Sequence, residues 1–322
     1  MNVFVTGATG FLGSALVNRL VAEGHSVTAL LRSEAARAEQ ERKGVRVVLG
    51  SLITTGGWEE SLRGIDAIVH CAAPVEFWGK WENFERDIVT ASVNLLAAAN
   101  RTGVKRFIYI SSESVLQDVK PLLDIDESEP YPAVPNSFYG RAKKEAEIAL
   151  MSGQSQATRI VLRPTFIWGL GVKALDTMAA KVKSNDFMWI DEGVSVMEMV
   201  HVDNVVEAIV LTLAKGADKS VYYVTDDRPM PVRDFLGKLL GAAGVTPPAK
   251  NINGKLVRFA ASVIEGLWKL FAIQSPPPLS RFELAFVSQP RRYRIDRIKR
   301  DLGYAPIRSL EDGLQSLKTS QV

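Results

Sequence analysis

A tyrosine and a lysine four residues apart are well suited to acid–base chemistry. Tyr139 and Lys143 stand near the start of a predicted helix, Ser137–Met151, and their spacing puts both on one helical face. A free tyrosine has a pKa of about 10, and a nearby cation favours the phenolate and lowers that pKa. We therefore expect Tyr139 to exchange a proton with an alcohol or carbonyl oxygen.

A run of serines follows a predicted strand, Arg106–Ser111, at an end that should face the same crevice. Ser111, Ser112 and Ser114 each carry a hydroxyl that could bond a reacting oxygen and stabilise the charge that builds on it. Each serine is also an ordinary residue for a turn at the end of a strand. Spacing alone does not choose among the three.

Three glycines separate the first predicted strand, Asn2–Thr6, from the first predicted helix, Phe11–Glu23. Gly7, Gly10 and Gly13 let the chain turn tightly and bring backbone N–H groups close to a pyrophosphate. The N-terminus of the following helix adds a positive dipole end that favours anions. A dinucleotide site is the interpretation we prefer, and a plain strand–helix turn with incidental glycines is the alternative.

The end of the second predicted strand, Ser26–Leu31, bears on the choice of dinucleotide. NAD is favoured by a carboxylate there, which holds the ribose hydroxyls, whereas NADP is favoured by a cation for the 2′-phosphate. The strand is followed by Arg32, with no acid at its tip. A guanidinium grips a phosphate through two hydrogen bonds, so we expect NADP(H) in preference to NAD(H). The alternative is that Arg32 is only a solvated charge.

Short β-branched runs alternate with longer helical patterns over the first 165 residues. The predicted strands are Asn2–Thr6, Ser26–Leu31, Val45–Leu49, Asp66–His70, Arg106–Ser111 and Arg159–Leu162, and the predicted helices are Phe11–Glu23, Glu34–Arg42, Trp81–Arg101 and Ser137–Met151. This order predicts an α/β fold with a doubly wound, Rossmann-type parallel sheet buried on both faces. We expect a dinucleotide-binding domain from residues 1–165 plus about 201–225. The remainder, about 166–200 and 226–322, should form a smaller, discontinuous C-terminal substrate lobe.

Composition excludes several classes of protein. The 322 residues are 47% hydrophobic with a net charge of +3, which suits a globular protein and argues against nucleic acid as a partner. The single cysteine, Cys71, can form no internal disulfide and fits a reducing compartment. Together with the three scattered histidines it shows no spacing typical of metal ligands. We find no signal peptide and no apolar stretch of membrane-spanning length, so we expect a cytoplasmic protein without a transmembrane segment.

The glycine turn, the strand-end serines and the Tyr139/Lys143 pair, in this order, resemble the extended short-chain dehydrogenase/reductase superfamily over nearly the whole chain. Supporting motifs are His70-Cys71-Ala72-Ala73, Asn94-Leu95-Leu96, Leu162-Arg163-Pro164, His201-Val202-Asp203-Asn204-Val205 and Asp301-Leu302-Gly303-Tyr304. Within the superfamily, the chain is most similar to the 3β-hydroxysteroid dehydrogenase/isomerase-like branch. That similarity rests on Phe77-Trp78-Gly79-Lys80-Trp81 and Pro277-Pro278-Leu279-Ser280-Arg281-Phe282-Glu283.

The resemblance implies roles for individual residues. The superfamily's catalytic serine falls on Ser112, and its tyrosine and lysine fall on Tyr139 and Lys143. Cofactor contacts are implied for Gly7, Thr9, Gly10, Phe11, Leu12, Gly13, Arg32, Ala72, Ala73, Tyr139, Lys143, Pro164 and Thr165. Two positions depart from the usual pattern: Ser51 replaces an aspartate that contacts adenine, and Ile88 replaces a helix asparagine.

Aromatic residues predict an apolar substrate. Sugar-nucleotide epimerases of this scaffold usually carry an asparagine at the position of Phe166 and an arginine at that of Phe286, so two diphosphate partners are missing here. We expect the substrate pocket to be lined by Phe77, Trp78, Phe166 and Trp168.

The predicted function is reversible hydride transfer between NADP(H) and a hydrophobic secondary alcohol or ketone, of a 3-hydroxy/3-oxo steroid-like or 3-oxoacyl-like kind. The alternatives are a sugar-nucleotide epimerase or dehydratase, and a non-catalytic NADP-binding sensor.

Three further features bear on partners. An apolar helix at 254–273 either caps the substrate lobe as core or lies on a membrane surface as a peripheral contact. The basic run from Arg291 to Arg300 is interpreted as a solvated helix face. The superfamily resemblance implies a homodimer that pairs the helices Trp81–Arg101 and Ser137–Met151.

Overall fold

The computed structural model describes residues 1–54, 56–76, 78–118, 120–271, 273 and 275–319. Its strands are β1 (Asn2–Thr6), β2 (Ser26–Leu31), β3 (Arg46–Leu49), β4 (Ala67–His70), β5 (Arg106–Ile110), β6 (Leu122–Ile125), β7 (Thr158–Pro164), β8 (Phe166–Trp168), β9 (Trp189–Ile190), β10 (Val196–Met197), β11 (Met199–His201), β12 (Ser220–Val224), β13 (Met230–Pro231), β14 (Asn251–Ile252) and β15 (Arg291–Tyr293). Its helices are α1 (Phe11–Ala22), α2 (Arg37–Arg42), α3 (Trp81–Phe84), α4 (Ala91–Thr102), α5 (Phe138–Met151), α6 (Lys173–Lys183), α7 (Val202–Ala214), α8 (Val232–Ala242), α9 (Gly254–Leu270), α10 (Arg281–Ser288), α11 (Asp296–Leu302) and α12 (Leu310–Thr319).

Seven strands form the central sheet in the order β12-β7-β5-β4-β1-β2-β3. Every neighbouring pair runs parallel. The chain winds outward from β1 through β2 to β3, and then returns to β4 and continues in the opposite direction. Ligands of such sheets bind at the carboxyl ends of the strands where the winding reverses, here between β1 and β4. The doubly wound, Rossmann-type fold predicted from the sequence is confirmed.

Both faces of the sheet are buried beneath helices. Val3 and Val5 of β1 face a core that includes Leu16 of α1 and Ile209 of α7. Phe4, the residue between them, faces the opposite core, which contains side chains of α4 and α5. Alternate side chains of one strand therefore enter two different cores, as a parallel sheet covered on both sides requires.

The helix predicted at 81–101 is one continuous helical segment with an irregular turn. A π-helical turn at Glu85–Thr90 separates α3 from α4. Ile88, one of the two departures from the superfamily pattern noted above, lies in this turn and is buried. Inserted turns of this kind are frequent at functional sites.

The prediction for the basic run was wrong at its beginning. Arg291 lies in β15, which pairs with β6, and only 1% of the residue is exposed. Its guanidinium lies 4.5 Å from the centroid of the Phe286 ring, and its Nε is 3.7 Å from a carboxylate oxygen of buried Glu113. The pairing of β15 with β6 takes Arg291 into the interior. The helix of this run begins only at Asp296.

The polypeptide after residue 165 adds smaller sheets and helices beside the main sheet. Strand β12 returns to the main sheet, whereas β8 pairs with β11, β9 with β14, and β10 with β13. A separate core contains Trp189, Phe235 and Leu239. The division into two lobes stays a prediction. Within the described residues, no helix is both long and apolar enough to cross a bilayer.

Candidate active site

The glycine turn between β1 and α1 is shaped by close approaches of backbone. Gly7 has φ +72°, and a Cβ there would stand 2.8 Å from the backbone nitrogen of Ala72. A Cβ on Gly13 would lie only 2.0 Å from the carbonyl oxygen of Gly7. Side chains at these two positions would push β4 and α1 away from the turn, so the spacing of the glycines is explained by tertiary contact as well as by ligand access.

The first turn of α1 is left open toward this crevice. Gly10 precedes the helix and has no side chain to cap it, so the backbone N–H groups of Phe11, Leu12 and Gly13 lack a side-chain partner from the cap. The helix dipole adds a positive end at the same place. Exposed Thr9 and partly buried Phe11 flank this turn. The arrangement fits the pyrophosphate of a dinucleotide.

The edges of the crevice are held by polar contacts between strands. The backbone N–H of Ala72 donates to Thr6 Oγ1 over 3.2 Å, and that hydroxyl is hydrogen-bonded to His70 Nδ1 over 2.7 Å. Ala73 follows, partly buried, on the same segment. At the end of β7, the N–H of Thr165 donates to the carbonyl of Val224 over 3.2 Å.

Arg32 lies at the end of the strand that neighbours β1 in the sheet. It directly follows β2, next to the glycine turn in the sheet, and its side chain is exposed. Among the described residues, Arg32 has no ion pair with a carboxylate, whereas nearby Arg37 is bound by Glu34 and Glu41. No carboxylate of the described part of the chain therefore competes with a ligand for this guanidinium.

The serine turn and the start of α5 are packed directly against each other. Ser137 caps the helix, and its Oγ accepts the N–H of Gly140 over 3.0 Å. A Cβ on Gly140 would lie 2.4 Å from the carbonyl oxygen of Ser114, so only glycine allows this approach. The contact places Tyr139 beside Ser112, whose side chain hydrogen-bonds to it. Of the three candidate serines, Ser112 is the one in contact with Tyr139; Ser111 and Ser114 are buried.

The pKa of Tyr139 is not lowered in this structure, contrary to the expectation from Lys143. Burial raises the pKa of Tyr139 to about 12, although the hydrogen bond with Ser112 acts in the opposite direction. Lys143 Nζ is 5.9 Å from the centre of the Tyr139 ring and donates to the carbonyl of Ile110 over 2.7 Å. Burial lowers the pKa of Lys143 to about 8. Tyr139 is therefore a protonated phenol at neutral pH, suited to donating a proton to a carbonyl oxygen.

One feature of α5, a buried ion pair with the sheet, was missed by sequence reasoning. Glu147 stands four residues after Lys143 and forms a buried ion pair with Arg163 of β7, with an N–O distance of 2.7 Å. Neither side chain is more than 3% exposed. The pair ties the helix that carries Tyr139 and Lys143 to the sheet. The i,i+4 repeat of Tyr139, Lys143 and Glu147 was the signal that could have revealed it.

The predicted substrate residues occupy different environments. The rings of Phe166 and Phe286, the two residues from which we expected the loss of diphosphate partners, are in contact with centroids 5.4 Å apart. Trp168 is fully buried, and its Nε1 donates to Asp226, so it lies in the core of this region. Trp78 Nε1 donates to the carbonyl of Ile273 over 3.4 Å. Phe77 lies outside the described residues.

No group of three or more potential metal ligands is found among the residues that the structure describes. His201 and Asp203 are separated by one residue and take part in the N-terminal capping of α7. The N–H of Asp203 donates to His201 Nδ1 over 3.2 Å at the start of α7. This is the capping of a helix by a side chain.

Comparison with known proteins agrees with this geometry. The chain belongs to the NAD dependent epimerase/dehydratase family, whose model matches residues 3–224. This is the extended short-chain dehydrogenase/reductase group recognised from the motifs, and the relatives place the chain in its 3β-hydroxysteroid dehydrogenase-like branch.

Three relatives and one solved structure illustrate the similarity. A 4-hydroxy-2-methyl-3-oxo-4-farnesyl-3,4-dihydroquinoline-1-oxide ketoreductase of Stigmatella aurantiaca is 34% identical over 99% of this chain and 96% of its own. A 2-alkyl-3-oxoalkanoate reductase of Stenotrophomonas maltophilia is 31% identical over 99% of both chains. A 3 beta-hydroxysteroid dehydrogenase/Delta 5-->4-isomerase of Mycobacterium tuberculosis is 27% identical over 97% of this chain and 88% of its own. The crystal structure of gox2253 superposes with a TM-score of 0.81 at 26% identity, covering 99% and 98% of the two chains.

Proposed function

We propose that this protein is an NADP(H)-dependent reductase of a hydrophobic ketone, with Tyr139, Ser112 and Lys143 as its catalytic residues. The broader statement rests on family membership: the protein is an NAD(P)-dependent oxidoreductase that interconverts an alcohol and a ketone on a hydrophobic substrate. The observation that carries the catalytic assignment is the packing of Gly140 against Ser114, which brings Tyr139 to Ser112.

The three side chains divide the proton chemistry. Tyr139, protonated at neutral pH, gives its proton to the carbonyl oxygen of the substrate during reduction and recovers it from the alcohol in the reverse direction. Ser112 donates a hydrogen bond to the same oxygen as charge builds there. Lys143 places a positive charge 5.9 Å from the centre of the Tyr139 ring and stabilises the phenolate that forms. The bound nicotinamide supplies the hydride.

The substrate is a hydrophobic oxo compound of the 3-oxo steroid-like or 3-oxoacyl-like kind. Phe166 and Phe286 present a joined aromatic surface where a nucleotide sugar would need hydrogen-bond donors. A diphosphate facing these rings would lose its water without gaining a partner. Two of the relatives described above, a farnesyl-bearing quinoline ketoreductase and a 2-alkyl-3-oxoalkanoate reductase, support this class.

Oxidation of NADPH with a panel of ketones tests the function. Steroid ketones and 3-oxoacyl compounds are supplied to the purified protein, and the loss of NADPH absorbance is followed. We expect turnover with one of these two classes. Epimerases and dehydratases restore their cofactor in each turnover, so UDP-sugars are incubated separately and their products are separated by chromatography; conversion of a UDP-sugar would establish the sugar-nucleotide alternative.

Substitution of Tyr139 separates a reductase from a cofactor sensor. Tyr139→Phe should lower kcat by about 100-fold or more and leave the Kd for NADPH within about twofold. Lys143→Met should also lose turnover, whereas Lys144→Met is the matched control, because Lys144 Nζ bonds the carbonyls of Pro132 and Ala133 away from Tyr139. Full activity in Tyr139→Phe would remove the assigned mechanism.

Arg32 is the residue we assign to cofactor choice. The kcat/KM ratio for NADPH over NADH should fall at least tenfold in Arg32→Asp, since a carboxylate repels the 2′-phosphate and accepts ribose hydroxyls. Arg37→Asp is the matched control of equal charge change, because Arg37 is held by Glu34 and Glu41. Equal use of both cofactors by the unaltered protein would defeat this assignment.

A cytoplasmic homodimer is the setting we propose. The sequence has one cysteine, Cys71, and can form no internal disulfide, which suits a reducing compartment. Val93 of α4 and Ile148 of α5 are 40% and 47% exposed, which leaves apolar surface for pairing of these helices. Light scattering should show a dimer that Ile148→Glu converts to a monomer.

A further inference from the structure

The turn that carries Ser112 is anchored to β15 as well as to α5. Glu113 directly follows Ser112, begins the short helical turn that ends at Val115, and is 3% exposed. Its Oε2 lies 3.7 Å from Nε of Arg291 in β15. Ser112 Oγ accepts the backbone N–H of Ser114 over 3.2 Å within the same turn. Because the turn is closed in this way, a displacement of Glu113 would also displace the hydroxyl of Ser112.

Arg291 also holds the aromatic surface that we assign to the substrate. Its Nη2 donates to the backbone carbonyl of Phe286 over 2.5 Å, and its guanidinium carbon lies 4.5 Å from the centroid of the Phe286 ring. A cation placed over an aromatic face is attracted by it. Phe286 in turn contacts Phe166. One guanidinium therefore connects the serine turn with the aromatic surface.

The contact between Glu113 and Arg291 is an expensive way to hold a fold together. Neither side chain is more than 3% exposed, and the 3.7 Å between their charged groups is longer than a hydrogen bond. Burial raises the pKa of Glu113, whereas Arg291 acts in the opposite direction. Replacing such a pair by apolar residues of similar volume is often neutral or stabilising. Buried charges of this kind are concentrated at functional sites.

We propose that Arg291 is a positioning residue of the reductase. Through Glu113 it fixes the serine turn, and through Phe286 it fixes the aromatic surface, so that a ketone packed on that surface has its oxygen at Ser112. Arg291 is 1% exposed and acts through these two neighbours without touching a ligand. The inference rests on the proposed function, because it assigns Arg291 to the reaction of Ser112 and Tyr139. A misplacement of about 1 Å in such a site can lower the rate by about 100-fold.

Steady-state kinetics of Arg291→Met tests the role, with the steroid ketone or 3-oxoacyl compound that the protein turns over and with enzyme counted by its NADPH-binding sites. We expect kcat to fall by about tenfold or more and KM for the ketone to rise by about threefold or more, since the serine turn and the aromatic surface both lose their anchor. The Kd for NADPH should stay within about twofold, because neither Glu113 nor Phe286 is assigned to the cofactor.

The matched control is Arg292→Met, in the neighbouring residue of the same strand. Arg292 is 54% exposed on its side chain and pairs with Asp124 at 3.1 Å, so its substitution should leave kcat and KM unchanged. Glu113→Gln breaks only the tie to the serine turn, and we expect it to lower kcat while KM stays within about twofold.

Two further variants separate positioning from stability. The double variant Glu113→Gln/Arg291→Met should have the kcat of Arg291→Met within about twofold, because two residues that act through one contact are not additive. Arg291→Lys keeps the positive charge and should be more stable to urea than Arg291→Met. It should not recover kcat, since an ammonium group lacks the rigid fork that reaches both neighbours. Where Arg291→Met does not fold, Arg291→Lys and Glu113→Gln carry the test.

Three results would overturn the positioning role. These are normal kcat and KM in Arg291→Met or Arg291→Lys, a loss that disappears when enzyme is counted by its NADPH-binding sites, and losses that multiply in the double variant. The absence of ketone reduction by the unaltered protein would overturn the proposed function together with this inference. Ketone reduction that continues unchanged in the variants would overturn the inference alone, so the two failures are told apart.

Discussion

The buried ion pair between Glu147 and Arg163 gives a quantitative test of how α5 is held. Arg163 is 3% exposed on its side chain and bonds Glu147 through Nη2 at 2.7 Å and Nε at 3.1 Å. Its remaining contacts are the hydroxyls of Tyr131 at 2.9 Å and Tyr223 at 3.4 Å, which carry no compensating charge at neutral pH. Burial alone would lower the pKa of Arg163, yet Glu147 holds it above its usual range. A guanidinium is not deprotonated in proteins near neutral pH, so Arg163 stays charged even when its partner is removed.

Glu147→Gln keeps the size of the side chain and removes its charge. We expect the free energy of unfolding to fall by about 3–5 kcal/mol, the cost of leaving a buried cation unpaired. Glu145→Gln is the matched control on the same helix, since Glu145 pairs with Arg141 at 35% and 39% side-chain exposure. That substitution should cost at most about 1 kcal/mol, because water screens the pair.

Urea unfolding followed by circular dichroism at pH 7 measures both variants. A difference of less than about 1 kcal/mol between them would refute the argument that burial sets the strength of the pair. The double variant Glu147→Leu/Arg163→Met provides a second check, since it removes both charges and refills the volume. It should be more stable than Glu147→Gln, because no buried charge is left without a partner.

Three other predictions follow from the site. Burial lowers the pKa of His70 to about 3, so the unfolded chain takes up this proton first as pH falls below about 6.5. Stability should decline by about 2 kcal/mol between pH 7 and pH 5 from this residue alone. In urea unfolding, His70→Asn should flatten that decline and His25→Asn should not; equal slopes would contradict it. Because burial lowers the pKa of Lys143 to about 8, kcat/KM for ketone reduction should fall as pH rises above this value, and Lys143→Arg should move the fall to higher pH; an unmoved profile would assign it elsewhere. A Cβ on Gly140 meets Ser114 at 2.4 Å, so Gly140→Ala should lower both stability and kcat, whereas Gly237→Ala, with no atom within 4 Å, should stabilise by about 0.5–1 kcal/mol; normal kcat in Gly140→Ala would show that the contact is not required.

Local patterns were sufficient for much of the architecture. The strand-and-helix alternation predicted the parallel sheet, since β-branched runs that are apolar on both faces are stable only when covered on both sides. The glycine spacing likewise predicted the turn, because positive φ and close backbone contact are properties of the residue type. These features depend on residues near one another in the chain.

The electrostatic state of the site was beyond the sequence. The sequence shows that Tyr139 and Lys143 are four residues apart. Their burial, which only the structure shows, raises the pKa of the tyrosine and lowers that of the lysine. The choice of Ser112 among three serines likewise depends on the contact between Gly140 and Ser114, which are far apart in sequence.

The sequence by itself determined the order of the elements, the glycine turn and the residue types available for catalysis, because each follows from short-range periodicity and backbone freedom. The tertiary structure alone decided that Arg291 is buried, that Glu147 pairs with Arg163, and that one side of α9 stays exposed in the part of the chain that the structure describes. The physical reason is that desolvation and ion pairing depend on which distant segments meet. A periodic pattern shows that a helix has an apolar face and does not show what covers it.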